Sequence, residues 1–264
     1  HDRLKRVYAS LVRGHGMTIT ERMYDKFNHY LYDLLCGGNS LTKKEIGEAL
    51  VSTELPVGSE YLSRFLGNAE NEALICSGKL RGKEHTYMLL EERVRAEKPL
   101  SRDEALARLA HNYFRSHSPA TIDDFLWWSG LSIKEVRMAM HLIDGELNKE
   151  CFKERVYYVH ESCGGQRRIP ATHAVFLPSY DEYVISYKYR DNVLNPSFNG
   201  KAFTNNGIFF PLVVERGRVI GNWKADLGTA SLRIATTYFE PLSLERMQAI
   251  EKNPMKTMER FYLG

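Results

Sequence analysis

An approximate internal repeat runs through the first 160 or so residues and restricts the chain to folds assembled from a duplicated unit. In the first copy, an apolar helical stripe (Phe27, Tyr30, Leu31, Leu34, Leu35) leads through Gly37-Gly38-Asn39 to Leu41-Thr42-Lys43-Lys44-Glu45-Ile46. In the second, the stripe Leu106, Leu109, Ala110, Tyr113 and Phe114 leads through Ser116-His117-Ser118-Pro119 to Ala120-Thr121-Ile122-Asp123-Asp124-Phe125. Each copy sets a threonine three residues ahead of an acid, Thr42 before Glu45 and Thr121 before Asp124. At that spacing a hydroxyl and a returning carboxylate satisfy the orphan amides of a helix start, which predicts a second short helix in each copy. After a break at Pro56-Val57-Gly58 or Ser129-Gly130-Leu131, Ser59 and Ser132 stand as N-caps of a third helix. The buried stripes of those third helices are Leu62, Phe65, Leu66 and Ala69 in one copy, and Val136, Ala139, Met140 and Ile143 in the other.

Each third helix runs out into β-prone sequence. In the first copy Ala73 to Ser77 and His85 to Leu90 flank the tip Gly78-Lys79-Leu80-Arg81-Gly82-Lys83, which reads as a hairpin. The second copy carries a weaker equivalent, Cys151 to Lys153 and Val156 to Val159 around a charged turn. Three helices and a hairpin make a winged-helix unit, an elaboration of helix-turn-helix. Beyond Pro170 the period alternates. Val175–Leu177, Tyr183–Ile185, Ile208–Val214, Val219–Trp223 and Leu232–Phe239 read as about five strands, and closure into a barrel hides their edges. A terminal helix is predicted over Leu242–Lys252. The fold class expected is therefore α+β, two tandem winged-helix units followed by a small β-rich, barrel-like domain. The boundaries expected are 1–26 for an N-terminal helical segment left from an upstream module, 27–95 and 96–170 for the winged helices, and 171–264 for the β-rich domain.

Charge and cysteine content set the outer limits. The chain has 264 residues, 26% of them charged, with a net charge of +3; that balance neither demands nor excludes nucleic acid, so local charge decides. Four cysteines (Cys36, Cys76, Cys151, Cys163) form no C-x-x-C pair, and no apolar run is long enough to span a bilayer. A cytoplasmic protein without a membrane partner is expected.

Several ordered motifs carry a family resemblance: Leu74 to Arg93, Arg102 to Leu106, Ser116 to Thr121, Asp124-Phe-Leu-Trp-Trp-Ser-Gly-Leu131 and Leu177-Pro-Ser-Tyr-Asp-Glu-Tyr183. Together they resemble the bacterial winged-helix family that includes the AlkZ and YcaQ DNA glycosylases, over roughly Leu4 to Phe239. The resemblance implies tandem winged helices with a β-barrel-like domain and, in characterised members, excision of bulky alkylated or crosslinked bases. Those members carry a reactive Gln-x-Gln or Gln-x-Asp motif in a further N-terminal winged helix. The two glutamines here, Gln166 and Gln248, form no such motif, so no catalytic residue is carried over.

Candidate sites follow from local charge. Lys79, Arg81, Lys83 and His85 crowd the first hairpin tip, where flanking glycines allow close approach to a phosphate backbone. Tyr61, Arg64 and Asn68 lie away from the buried stripe of one third helix, and Lys134, Arg137 and His141 form a basic face on the other. Trp127 and Trp128 can stack on a base but suit a core better. The adjacent acids Asp181 and Glu182 fit hydrogen bonding and turn formation better than acid–base chemistry. His160, Cys163 and His173 have irregular spacing for a metal, and Gly78 to Glu84 departs from a phosphate loop, so neither a metal nor a nucleotide cofactor is expected. The function expected is double-stranded DNA binding, as the DNA-gripping part of a repair glycosylase-like protein. A non-enzymatic regulator and a scaffold for protein partners remain open.

Overall fold

A computed structural model describes residues 18–95, 98–164, 174–227 and 232–263. Residues 1–17 of the expected N-terminal helical segment, Gln166 and His173 lie outside them. The chain divides into two compact units, 1–99 and 100–264.

The first unit contains α1 (Glu21–Leu35), β1 (Leu41–Thr42), α2 (Lys43–Ala49), α3 (Ser59–Asn71), β2 (Ile75–Ser77), β3 (Thr86–Leu89) and the short α4 (Leu90–Arg93). Helix α1 starts six residues before Phe27 because Thr20 caps it, accepting the Met23 N–H; the boundary expected at 26/27 therefore falls inside a helix. Thr42 and Glu45 form the predicted capping box. Ser59 does not cap α3: Gly58 occupies that position, and the Ser59 hydroxyl accepts from Lys43 instead. The strands pair antiparallel in the order β1-β3-β2. Phe27, Leu31 and Leu35 of α1 pack with Ile46, Leu62, Phe65, Leu66, Ile75 and Leu89, and Phe27 stacks on Phe65 at 4.8 Å between ring centroids.

The second unit repeats the order with α5 (Arg102–His117), α6 (Ile122–Ser129), α7 (Ile133–Leu142), β4 (Leu147–Phe152) and β5 (Arg155–His160). Thr121 with Asp124 and Ser132 with Glu135 are capping boxes as the spacing predicts, and Ser101 with Glu104 adds a further one at the start of α5. A lone bridge between Ala120 and Tyr158 stands where the first copy has β1 on β3. The core is Tyr113, Phe114, Phe125, Val136 and Ala139.

The same unit continues through β6 (Ala174–Leu177), α8 (Glu182–Ile185), α9 (Asn199–Ala202), β7 (Leu212–Glu215), β8 (Arg218–Leu227), β9 (Leu232–Tyr238) and α10 (Leu244–Leu263). Three expectations are corrected here. Tyr183-Val184-Ile185 is a helical turn, not a strand, because Asp181 caps it by accepting the Tyr183 N–H at 2.9 Å; a three-residue apolar run cannot by itself distinguish the two. Of Ile208–Val214 only the end is strand, so the described sheet has four strands instead of five. Those strands run antiparallel in chain order, β6-β7-β8-β9, leaving β6 and β9 as edges with no barrel closure among the described residues. Alternation sends Leu212 and Val214 to one face, with Val184, Leu194 and Ala202, and Val213 to the other, with Phe176, Trp223 and Ile250 of α10. Both faces are covered by helix and loop.

Candidate nucleic-acid interface

The first hairpin tip is built for rigidity at its base and exposure at its end. Arg81 and Glu84 exchange both backbone hydrogen bonds at 3.1 Å, leaving Gly82 and Lys83 as the turn, with Gly82 at φ +64. At the base, Gly78 lies so close to Ser40 and Thr86 that a Cβ there would collide with their hydroxyls. Those hydroxyls bond one another at 2.6 Å, and Thr86 donates onward to the Lys79 carbonyl. Lys79, Lys83 and His85 are exposed. Arg81 is turned back: its guanidinium bonds Glu45 Oε1 at 2.5 Å and the Ser40 carbonyl at 2.7 Å. The Glu45 carboxyl sits below its usual pKa because the Thr42 N–H, then Arg81 and the Thr42 hydroxyl, donate to it.

Beside this tip lies an open groove of about 640 Å³ along α2 and the start of α3, lined by Lys43, Lys44, Val51, Leu62, Lys83 and His85. The Lys43 ammonium donates to Ser59 and Ser63. Sequence reasoning does not single out Lys43 and Lys44 as site residues. Both occupy the first turn of α2, where the helix dipole disfavours cations, and each has a local partner: Lys43 the serines of α3, and Lys44 the Glu48 carboxylate one turn on. Tyr61, Arg64 and Asn68 are half-buried, and Tyr61 packs against the first unit's core 6.3 Å from Phe65, so this trio is a less open surface than the helical wheel suggests.

In the second unit Lys134, Arg137 and His141 are all exposed on α7. They share that surface with Ile133, Met138 and Leu142, which are 42%, 46% and 40% exposed. The second hairpin is not free. Lys153 donates to Asn192, Arg155 bonds Asp191 at 2.7 Å, and the Arg155 guanidinium lies 4.1 Å from the Tyr189 ring centre. Trp128 is packed against Tyr113 and donates to Glu182, whereas Trp127 is 54% exposed, contrary to the core placement expected, with its indole N–H on the Ile185 carbonyl and Arg190 over its ring. Glu182 also lies 3.5 Å from His117 Nε2. Asp181 and Glu182 are thus a helix cap and a hydrogen-bond acceptor. Cys163 is exposed and faces the Arg115 carbonyl, while His160 is buried against His111 and Glu146, two residues that its own neighbourhood in sequence does not suggest.

Among the described residues no helix is long and apolar enough to cross a membrane. The family model of DNA glycosylase AlkZ-like proteins matches residues 2–256. An interstrand DNA cross-link repair glycosylase of Streptomyces sahachiroi is 25% identical over an alignment of 247 residues, and the match covers 89% of this chain and 65% of that protein. The chain thus spans less than two thirds of that relative's length. The solved structure of the Streptomyces sahachiroi DNA glycosylase AlkZ matches with a TM-score of 0.71 at 24% identity, covering 93% of this chain and 70% of that one. That match is a likeness of fold.

Proposed function

The chain belongs to the DNA glycosylase AlkZ-like family, and from that membership we propose that it is the DNA-gripping part of a repair glycosylase, built on two winged-helix units and a β-rich domain. The order helix, strand, helix, helix, hairpin, with the first strand paired to the hairpin, supports a winged helix at residues 21–89. The helix order and the Ala120–Tyr158 bridge support a second at 102–160. The observation that carries DNA binding is the exposed basic tip, Lys79 and Lys83 with His85, beside an open groove whose lining adds Lys43 and Lys44 together with the acids Glu48 and Glu84. Such a tip neutralises phosphates and reads little sequence by itself. Four free thiols suit a reducing cytoplasm.

Fluorescence anisotropy with a labelled duplex tests the proposal. Binding is expected at low salt, weakening steeply as salt rises through release of condensed counterions. No binding at low salt, or a salt-independent constant, refutes it and favours the second reading. In that reading α7 contacts a protein through Ile133, Met138 and Leu142.

A further inference from the structure

Three side chains far apart in sequence bring ligand atoms together at the base of the second hairpin. His111 comes from α5, Glu146 from the single 3-10 turn that precedes β4, and His160 from the end of β5. Glu146 Oε2 lies 2.5 Å from His111 Nδ1 and 3.1 Å from His160 Nε2, and the two ring nitrogens are 3.4 Å apart. The rings approach edge to face, at 84°, so the nitrogens converge on the carboxylate from different planes.

From this geometry we infer that His111, Glu146 and His160 form a binding site for a zinc-class divalent metal ion, which fastens the base of the β4–β5 hairpin to α5.

Tetrahedral zinc with bonds of about 2.0–2.2 Å sets neighbouring ligand atoms roughly 3.3–3.5 Å apart. The two separations involving His160 are already close to that edge length, and the His111–Glu146 pair needs to open by less than about 1 Å to match it. The donor set selects the ion: two imidazoles and one carboxylate suit zinc or a neighbouring first-row metal, whereas magnesium and calcium take oxygen ligands. The site also has an outer partner. Ser162 sits against the other ring nitrogen, its backbone N–H donating to His160 Nδ1 at 3.1 Å and its hydroxyl 2.8 Å from the same atom, so binding the ion at Nε2 requires the imidazole proton to move to Nδ1, where the hydroxyl accepts it. His160 is only 4% exposed, against 35% and 36% for His111 and Glu146. The ion is therefore held from the protein side and reached from solvent, where water completes its coordination. Sequence separations of 14, 35 and 49 residues explain why no local motif announces the site.

The test uses the whole chain, stripped with a chelator and titrated with cobalt(II) as a spectroscopic stand-in for zinc. One equivalent is expected to give the visible bands of a four- or five-coordinate ion without the near-ultraviolet sulfur-to-cobalt band that the free cysteines would produce. Zinc is expected to displace it and to raise the thermal midpoint, and magnesium to do neither. His111→Asn and Glu146→Gln, both at solvent-accessible positions, are expected to abolish the visible bands, and Ser162→Ala to weaken binding roughly 10–100-fold. Absence of stoichiometric binding by the unaltered chain overturns the inference whatever the variants do. So does binding that survives both ligand substitutions, or a spectrum carrying the sulfur band.

Discussion

Asp124 reaches beyond its own helix to Tyr189: its Oδ1 accepts the Tyr189 N–H at 3.0 Å and the Lys188 N–H at 2.8 Å, while Oδ2 closes the α6 capping box on the Thr121 N–H and hydroxyl. One carboxylate, 1% exposed, thus both starts a helix and fixes the loop that follows α8. Tyr113 and Tyr187 reinforce the same junction, donating to the Ser186 and His117 carbonyls.

Asp124→Ala is expected to destabilise the second unit by about 3 kcal/mol or more, since it leaves several buried donors unmatched at once. All three tryptophans (Trp127, Trp128, Trp223) lie in this unit, so urea unfolding followed by tryptophan fluorescence reads it directly. Glu45→Ala removes the equivalent residue of the first copy, where the carboxylate bonds Thr42 and Arg81 at the surface, and is expected to cost less. Equal losses in the two variants would contradict the distinction.

The lysines and the arginine of the first tip are expected to separate. Lys79→Ala with Lys83→Ala should lower duplex affinity and reduce the salt slope by about 0.9 for each phosphate no longer neutralised, with the thermal midpoint unchanged. Arg81→Ala should lower the thermal midpoint, because Arg81 ties the tip to Glu45 and Ser40. Anisotropy and differential scanning calorimetry on the two variants decide; an intact midpoint in Arg81→Ala would mean the tie contributes nothing.

Gly221→Ala is expected to disrupt the β8–β9 pairing. A Cβ there meets the Thr237 carbonyl oxygen at 2.5 Å and the Tyr238 Cα at 3.1 Å, and backbone cannot swing aside as a side chain can. A loss of about 1–3 kcal/mol in chemical denaturation is the expected size, as for other overpacked positions.

Three capping-box acids, Glu45, Glu104 and Glu135, are held below the usual carboxylate pKa by hydrogen bonds from Thr42, Ser101 and Ser132. Because the folded state binds the charged form better, their contribution is complete above the unfolded pKa of about 4.3 and is lost as pH falls through the lower folded values. The thermal midpoint should therefore drop between about pH 5 and 2. Replacing all three by glutamine should flatten part of that decline; an unchanged profile would assign acid lability to other groups.

This chain alone is expected to leave a duplex containing N7-alkylguanine intact after alkaline heating. Glycosidic hydrolysis needs a positioned water and stabilised charge on the sugar, whereas Asp181 is committed to capping α8 and Glu182 to Trp128. Strand cleavage above control that vanishes on mutating either acid would reverse this.

The repeat is legible because its signals are local: Thr42 with Glu45, Thr121 with Asp124 and Ser132 with Glu135 each act within one helical turn. So are the buried stripes of α3 and α7. What escapes a reading of the residues is long-range. Nothing near Arg81 in sequence indicates that it folds back on Glu45, 36 residues away, and nothing near Asp124 points to Lys188 and Tyr189. The strand count comes out too high because Tyr183-Val184-Ile185 has strand composition but a capping aspartate before it.

The unequal treatment of the two hairpins also governs how the folded chain meets a protease. Lys79 and Lys83 stand exposed around a glycine turn, so trypsin can seat either side chain in its specificity pocket. Lys153 and Arg155, with comparable chemistry at the matching place in the repeat, are held by Asn192 and Asp191. Between the two hairpins, limited digestion should nick the first and spare the second, and bound duplex should protect the cut site.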